Sequence, residues 1–383
     1  MDGVGTLLQY LRDGVPRTRS ELAAVTGLGR STVAHRVDAL LASKLVGAAG
    51  EATSTGGRPP AQFAFNAGAR VVLAADVGAT HIRLAVTDLA AGVLASDVAD
   101  LDVALGPEAV LGWLVDHGRA LVTSTGRDPS ALAGVGIGLP GPVEHATGRP
   151  TNPPIMPGWD GFDVPGFVGT SLDCAVAVDN DVNVMALGEH VTTFAGVDHL
   201  MFVKVATGIG SGIISDGALR RGAQGAAGDL GHVQVPHDVD AICRCGNVGC
   251  LEAVASGPAI AGRLRAAGID ADSSQDVVAL VRRGSVPATR MVREAGRTIG
   301  EVLATAVSLL NPSVLVIGGT VAEAGDPLLA GVREVVYRRS LPLATANLRI
   351  VQAGAGDLCG VIGAAAMIVE QVLAPDAVDR YVS

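Results

Sequence analysis

Three of the five cysteines in this 383-residue sequence lie in one short stretch, CRCGNVGCLE. Cys243, Cys245 and Cys250 follow His232, so three thiols and one imidazole occur at short spacings. This ligand set is typical of a tetrahedral zinc ion. Because four protein ligands leave no coordination position for an activated water, the pattern predicts a structural zinc site and disfavours a catalytic one.

The cysteine count and the N-terminus indicate a reducing compartment. An odd number of cysteines does not suit a disulfide framework. The first residues, MDGVGTLLQYLRDG, lack the basic and apolar regions of a secretory signal, and no apolar run approaches the ~20 residues of a membrane span. We therefore expect a cytoplasmic protein that does not enter a membrane. Cys174 and Cys359 lie far from the cluster, and we expect both to be buried.

Two turns rich in glycine and threonine could bind phosphate. VVLAADVGATHIRLAV and MFVKVATGIGSGII each read as an apolar strand, a turn and a second strand. Backbone amides in such turns can approach a phosphate, and two facing turns would hold a nucleotide from both sides. The duplication predicts an actin-like ATPase fold that binds Mg-ATP, with Asp76 holding Mg²⁺ through water. A third turn, in SVLVIGGT, is as compatible with a purely structural role. The expected nucleotide-binding residues are Asp76, Gly78, Thr80, Thr207, Gly208, Gly210, Gly318 and Gly319.

Asp179 and Asp181 lie in the stretch VDNDVN, and the apolar run AVAV leads into it, so this acidic pair marks the end of a predicted strand. In a cleft, such a carboxylate could accept a proton from a sugar hydroxyl during phosphoryl transfer. The same stretch could be an Asx-rich turn that caps the next helix. Spacing alone leaves both interpretations open.

Charge divides the chain into a basic head and an acidic body. Residues 1–70 hold eight Arg and Lys against five Asp and Glu, a balance of +3, so the remainder carries −13 to give the total of −10. Only two of the 28 basic residues are lysines, which we interpret as a compositional bias of the source genome.

The head contains three helical patterns. The first covers residues 6–12. The second begins with Thr18 and Glu21, a capping-box pair, and ends at Gly27. The third begins near Arg30 and places Val33, Val37, Leu40 and Leu41 on one face. Two helices joined by a short turn with glycine are typical of a helix-turn-helix.

A winged form of this motif is favoured by the segment that follows. LVGAAGEATSTGGRPPAQFAF reads as a strand, a narrow tip and a strand, and Arg58 at the tip suits a minor groove. The sequence therefore predicts a winged helix-turn-helix that binds DNA. The alternative is a helical interaction module whose arginines are only solvated. The expected DNA contacts are Arg30, Ser31, Thr32, His35, Arg36 and Arg58.

The order of motifs along the whole chain resembles the ROK family of repressors, open reading frames and kinases. The motifs are DVGAT, GIGLPGPV, MPGWDGFDV, DNDVN, ATGIGSGII, GDLGH, CRCGNVGCLE and NPSVLVIGG. The resemblance is strongest to xylose- and N-acetylglucosamine-type repressors with an N-terminal winged helix. It implies an α/β chain in which a winged helix-turn-helix precedes a two-lobed, actin-like body with structural zinc. It also implies sugar contacts by Asn180, Asp181, Asp229, His232 and Glu252, with Asp181 at the position of the catalytic base in the kinases.

This resemblance sets the expected domains. Residues 1–70 form the head, 71–187 the small lobe with a C-terminal helix over 363–383, and 188–362 the large lobe with the zinc site.

Three departures from the kinase pattern bear on function. Ala79 replaces a glycine of the first turn, Asp229 replaces a glutamate, and Ile155 stands where the family has a sugar-binding asparagine. A lost buried contact to a sugar costs about 1–3 kcal/mol. We therefore expect a DNA-binding transcriptional regulator that senses a sugar-related ligand, acts on double-stranded operator DNA and forms a homodimer or homotetramer. The alternatives are an ATP-dependent sugar kinase with a winged head, and a repressor without ligand binding.

Overall fold

The computed structural model describes residues 3–51, 59–235 and 240–383. It consists of a winged head and a body built on two five-stranded sheets. The predicted wing tip, including Arg58, lies outside the described residues.

The head is a helical unit backed by a three-stranded antiparallel sheet of order β1-β3-β2. The predicted capping box is confirmed, because the Thr18 hydroxyl accepts the Glu21 N–H while the Glu21 carboxylate accepts the Thr18 N–H. Gly27 ends the second helix in a left-handed conformation, as expected. The head elements are α1 Val4–Gln9, β1 Arg17–Thr18, α2 Arg19–Thr26, α3 Arg30–Ala42, β2 Val46–Glu51 and β3 Ala61–Phe65.

Two details of the head differ from the prediction. Helix α1 begins and ends earlier than residues 6–12, because the spacing of Leu7, Leu8 and Leu11 locates its buried face and not its ends. The short strand β1 was not predicted, since two residues carry no periodicity. In α3, Val33, Val37 and Leu40 are buried as expected, and Leu41 is half-buried.

The first body sheet has the order β10-β7-β4-β5-β6. An antiparallel hairpin, β4–β5, carries the first glycine turn, and β7 and β10 run parallel to β4. The strands are β4 Val71–Val77, β5 His81–Asp88, β6 Val93–Asp100, β7 Leu132–Leu139 and β10 Ala175–Asn180; a small hairpin is formed by β8 Val143–Glu144 and β9 Arg149–Pro150. Helices α4 Pro107–Ser124 and α5 Val164–Leu172 complete this unit.

The second sheet repeats the arrangement in the order β13-β12-β11-β14-β15. Its antiparallel hairpin, β11–β12, carries the second glycine turn, and β14 and β15 continue in parallel. The predicted duplication of hairpins is therefore present. The strands are β11 Leu200–Val205, β12 Ile209–Ser215, β13 Ala218–Arg220, β14 Val314–Gly318 and β15 Arg349–Gln352. The helices are α7 Leu251–Ala255, α8 Gly257–Ala266, α9 Ser274–Arg282, α10 Val286–Leu310, α11 Asp326–Arg339 and α12 Pro342–Thr345.

Two helices, α6 Asp181–Thr192 and α13 Cys359–Val372, lie between the sheets. Helix α6 packs on β11 and β12, α13 packs on β4 and β7, and the two helices pack on each other. They cross closely at Gly188 and Gly363, where an added Cβ would lie 2.0 Å and 1.7 Å from backbone oxygens of the opposite helix. Glycine is therefore required at this crossing.

The last helix, α14 Pro375–Tyr381, packs against α1 of the head. The Asp379 carboxylate accepts the N–H groups of Gly3 and Gly5, each at 2.8 Å. The two ends of the chain are therefore joined by hydrogen bonds.

The two cysteines outside the cluster differ in burial. Cys359 at the start of α13 is buried, as expected, and burial raises the pKa of its thiol. Cys174 is only half-buried, because it precedes β10 at the edge of the first sheet.

Among the described residues, no single helix has the length and apolar composition to cross a membrane. Residues Gly356–Val372 and Pro375–Tyr381 meet those criteria only as a pair bent by 67°, and most of α13 is buried in the core between the sheets.

Candidate ligand cleft and metal centre

The junction of β10 and α6 carries the predicted Asn-Asp pair. Asn180 is the N-cap of α6: its side-chain oxygen accepts the Val182 N–H at 3.0 Å, and its amide donates to the Gly141 carbonyl at 2.9 Å. Asp181 is the first residue of α6 and is buried. The capping interpretation is therefore correct for Asn180, while Asp181 keeps a carboxylate at the strand end.

Asp181 is paired with a lysine from the other sheet. Lys204 on β11 donates to Asp181 Oδ2 at 2.5 Å, and the two side chains are 23% and 7% exposed. Sequence reasoning missed this residue by attributing the scarcity of lysine to genome bias. Its position inside the apolar strand LMFVKV was the available signal, because a buried strand places a lysine there only with a partner.

A second ion pair joins the sheets one residue before the Asn-Asp pair. Arg221, in the loop after β13, donates through Nε to Asp179 Oδ2 at 2.5 Å. Asp179 is 1% exposed, and its Oδ1 accepts from the Asn183 amide at 2.7 Å. His145 Nδ1 lies 3.5 Å from Asp179 Oδ2. Sequence reasoning also missed Arg221, which had no motif of its own.

The first glycine turn is closed by its own residues. The Gly78 N–H donates to the His81 carbonyl at 2.8 Å, and a Cβ on Gly78 would lie 2.6 Å from the His81 ring. Thr80 is exposed at the tip. Asp76 lies near the end of β4, against Gly360 of α13, and burial raises the pKa of its carboxyl.

The second glycine turn is occupied by a carboxylate of the chain. Glu252 Oε2 accepts the Ile209 N–H at 3.1 Å, and a Cβ on Gly208 would lie 2.6 Å from the same oxygen. Thr207 is exposed, and Gly210 lies opposite Lys204 in the β11–β12 register.

The third glycine turn packs on the end of β11. Gly318 ends β14, and Gly319 adopts a φ of 82°. A Cβ on Gly319 would lie 2.7 Å from the Val205 carbonyl oxygen. This close approach is a sufficient structural reason for glycine, so the third turn needs no nucleotide to explain it.

The four predicted metal ligands converge on one point. One ligand atom each from His232, Cys243, Cys245 and Cys250 lies within 4.8 Å of all the others. His232 Nδ1 lies 3.6 Å from Cys243 Sγ, and the Sγ atoms of Cys245 and Cys250 lie 3.7 Å apart. Thiolates bound tetrahedrally at about 2.3 Å from zinc would lie roughly 3.8 Å apart. The donor set and its spacing therefore fit a four-coordinate metal ion.

Backbone hydrogen bonds connect this centre to the second glycine turn. The Glu252 N–H donates to Gly231 O and the Leu251 N–H to Val233 O, both at 2.9 Å, so the chain around His232 runs beside the start of α7. Glu252 therefore spans from the metal loop to the glycine turn. Asp229 is exposed: its N–H donates to the Ala226 carbonyl, and its side chain has no hydrogen bond or ion pair with other residues that the structure describes.

The predicted DNA-contacting residues of the head form a separate surface on α3. Arg30, Ser31, Thr32 and His35 are exposed in its first turns. Arg36 is half-buried, and its guanidinium packs over Gly3, since a Cβ there would lie 2.4 Å from Nη2.

The chain is similar in sequence and in fold to known repressors and sugar kinases. The chain is 27% identical over 381 residues to a xylose repressor of Caldicellulosiruptor bescii, covering 96% of this chain and 95% of that protein. It superimposes on the crystal structure of a ROK family transcriptional regulator, a homolog of the E. coli MLC protein, with a TM-score of 0.84 and 24% identity over 99% of this chain and 98% of that one. A ROK family glucokinase from Streptomyces griseus, solved with glucose and AMPPNP, matches 78% of this chain and 98% of its own with a TM-score of 0.66 and 28% identity. The pattern of the ROK family itself matches residues 72–371, and the chain therefore belongs to the ROK family.

Proposed function

We propose that this protein is a DNA-binding transcriptional regulator that responds to a sugar-related ligand in the body cleft. The carrying observation is the alignment with the xylose repressor over both the head and the body. The glucokinase matches only 78% of the chain, which is the share expected of a body without a head. The exposed polar start of α3 supports the same proposal, because the first turns of a recognition helix meet the major groove.

The response would use two states of the body. A ligand shifts a balance only when it prefers one state over the other. Asp179 and Asp181 lie at the β10–α6 junction, where they pair with Arg221 and Lys204. A ligand that contacts this junction would therefore change the ion pairs that join the two sheets. Helix α6 packs on α13, and α14, which follows α13, packs on the head. This chain of contacts supports coupling between cleft and head.

The metal centre is proposed to hold structural zinc. Four protein ligands would saturate a tetrahedral ion, so the metal would supply rigidity and no reactive water. With Nδ1 of His232 directed at the thiols, its Nε2 is left for a ligand hydroxyl. Glu252, two residues beyond Cys250, would be oriented by the same loop.

Operator binding by paired heads would require at least two copies of the chain, so we propose a homo-oligomer. Light scattering of the zinc-loaded protein measures this directly, and a monomer that binds an operator with full affinity would contradict it.

The experiment that tests the proposal is fluorescence anisotropy with the DNA upstream of the chain's own gene and of adjacent sugar-utilisation genes. Binding should be specific at moderate salt, and one sugar or sugar derivative should change the affinity. A scrambled duplex of equal length is the control. Equal affinity for both duplexes would contradict the proposed function.

A sugar kinase is the second candidate, favoured by the paired glycine turns and Asp181. An ADP-release assay over hexoses and amino sugars, in the wild type and in Asp181→Ala, tests it. ADP release that is seen in the wild type and lost in Asp181→Ala would establish kinase activity. No ADP release with any sugar of the panel would exclude this candidate.

A further inference from the structure

Lys204 lies in the second sheet between two cross-strand neighbours that have no side chain. It lies on β11, the central strand, and its cross-strand neighbours are Gly210 on β12 and Gly318 on β14, neither of which has a side chain. Val203 and Val205 flank it on the strand and are fully buried. Because side chains alternate along a strand, the lysine side chain lies on the opposite face from Val203 and Val205, toward the start of α6. Glycines of the second and third turns therefore flank one long cation of the chain itself.

Two carboxylates interact with this cation by charge, and one of them contacts it. Asp181 Oδ2 accepts its hydrogen bond, and Asp76 comes from the end of β4 in the first sheet. Burial lowers the pKa of Lys204, but the charges of Asp181 and Asp76 outweigh burial and raise it. The lysine is therefore charged at neutral pH, and it lies among acids that belong to the other sheet.

These acids are the groups that a nucleotide-bound divalent ion would need. Mg²⁺ requires oxygen ligands in near-octahedral geometry, usually one or two carboxylates with waters and phosphates. Here Oδ2 of Asp181 is already bound by an ammonium, and a divalent cation beside that ammonium would be repelled by it. The residues present therefore do not fit Mg²⁺. Among the described residues, Oδ1 of Asp181 accepts no hydrogen bond, and neither does the Asp76 carboxylate, which interacts with the same ammonium by charge.

The second glycine turn, where a phosphate would bind, is likewise occupied by a side chain of the protein itself. Phosphate would approach the amides of the second glycine turn, yet Glu252 Oε2 already accepts the Ile209 N–H and lies against Gly208. A carboxylate and a phosphate cannot share these donors without mutual repulsion. Glu252 therefore supplies the anion that the second turn binds, just as Lys204 supplies the cation that Asp181 binds.

We propose that Lys204 takes the place of the divalent ion and Glu252 the place of a nucleotide phosphate, so that the cleft binds neither Mg²⁺ nor ATP. Lys204 is then a specificity-determining residue: its ammonium occupies Oδ2 of Asp181 and leaves Oδ1 available to accept a hydrogen bond from a neutral ligand. This goes beyond the regulatory function, because it concerns which ligands the body can take whether or not the head binds DNA.

The test is Mn²⁺ binding by the full chain loaded with zinc, followed by the electron paramagnetic resonance signal of the free ion. The wild type should bind no Mn²⁺ at millimolar concentration. Lys204→Gln removes the charge and should raise Mn²⁺ affinity at least tenfold, whereas Lys204→Arg keeps the charge and should behave like the wild type. Adding Asp181→Asn to Lys204→Gln should abolish the gained binding.

Two results would overturn the proposal. One is a wild-type protein that binds a Mn²⁺ ion which Asp181→Asn removes, and this result needs no lysine variant to fold. The other is a folded Lys204→Gln protein, shown by circular dichroism, whose Mn²⁺ affinity equals that of the wild type. If Lys204→Gln fails to fold, the Mn²⁺ titrations of the wild type and of Asp181→Asn are sufficient to test the proposal.

A calorimetric titration with a non-hydrolysable ATP analogue tests the anion side. The wild type should give no binding heat with or without Mg²⁺, and the double variant Lys204→Gln/Glu252→Gln should bind the analogue with Mg²⁺ present. Binding by the wild type would refute the role of Glu252. None of these readouts uses DNA, so failure here is distinguishable from failure of the regulatory function.

Discussion

Arg221 and Asp179 form an ion pair that ties the second sheet to the end of β10, with Nε and Oδ2 2.5 Å apart. Asp179 is almost fully buried, and its carboxylate accepts hydrogen bonds from this arginine, from the Asn183 amide and from the Asn180 N–H. The pair holds the residue immediately before Asn180, and it therefore fixes the strand end where a ligand would meet the cleft.

Arg221→Met should destabilise the protein by about 3 kcal/mol, because it leaves a buried carboxylate without its cation. Urea unfolding followed by circular dichroism measures the loss. The double variant Arg221→Met/Asp179→Asn removes both charges and should recover much of it. An Arg221→Met protein as stable as the wild type would show that the pair is not a structural tie.

Cys245→Ser should remove the metal and weaken ligand response, because His232 and the loop before Glu252 lose their common anchor. Inductively coupled plasma mass spectrometry gives the zinc content per chain. Cys174→Ser changes a cysteine outside the cluster and should leave one zinc per chain. Unchanged zinc content in Cys245→Ser would exclude this cysteine as a ligand.

The capping box gives the head a pH dependence. Backbone and hydroxyl hydrogen bonds from Thr18 lower the pKa of Glu21 below its usual 4.5. A lowered pKa in the folded state contributes stability that is full above pH 4.5 and is lost as pH falls through the folded value. Glu21→Gln should therefore narrow the difference in head stability between neutral and acidic pH, measured by thermal unfolding. An identical pH profile in the variant would contradict this.

Thr18→Ala should destabilise the head by about 1 kcal/mol, because the Glu21 N–H loses its cap. Thr123→Ala is the matched control, since among the described residues its hydroxyl donates only to the Arg119 carbonyl of its own helix. Thermal melts that respond equally to both substitutions would rule out a special contribution of the cap.

Arg30→Ala should weaken operator binding, because Arg30 is exposed at the start of α3. If Arg30 contacts phosphate, the slope of log affinity against log salt should fall by about 1. Arg283→Ala, an exposed arginine at the end of α9 in the body, is the control and should bind as the wild type does. Anisotropy titrations at several salt concentrations measure both.

Gly5→Ala should loosen the head from the body, since the new Cβ would lie 2.1 Å from the Pro375 carbonyl oxygen. Hydrogen exchange in α1 should rise, and limited proteolysis near residue 14 should accelerate. Gly262→Ala is the control, because its nearest contact would be 3.8 Å away. Unchanged exchange in Gly5→Ala would show that α1 accommodates the methyl group.

Local features of this protein could be predicted from sequence because their determinants lie within a few residues. The capping box of Thr18 and Glu21, the two glycine hairpins and the α3 face each follow from short-range spacing and periodicity. The convergence of His232 with three cysteines was also predictable, since the cysteines lie close together in sequence.

Tertiary structure decided which charges meet in the cleft. Lys204 and Asp181, and Arg221 and Asp179, are pairs that only the meeting of the two sheets brings together. Glu252 contacts Ile209 because α7 packs beside β12 within the second unit. Sequence spacing has no information on such contacts, because packing through α6 and α13 sets the distance between the sheets. The sequence determined that acids and glycine turns would be present; the fold determined that the chain's own lysine and glutamate occupy them.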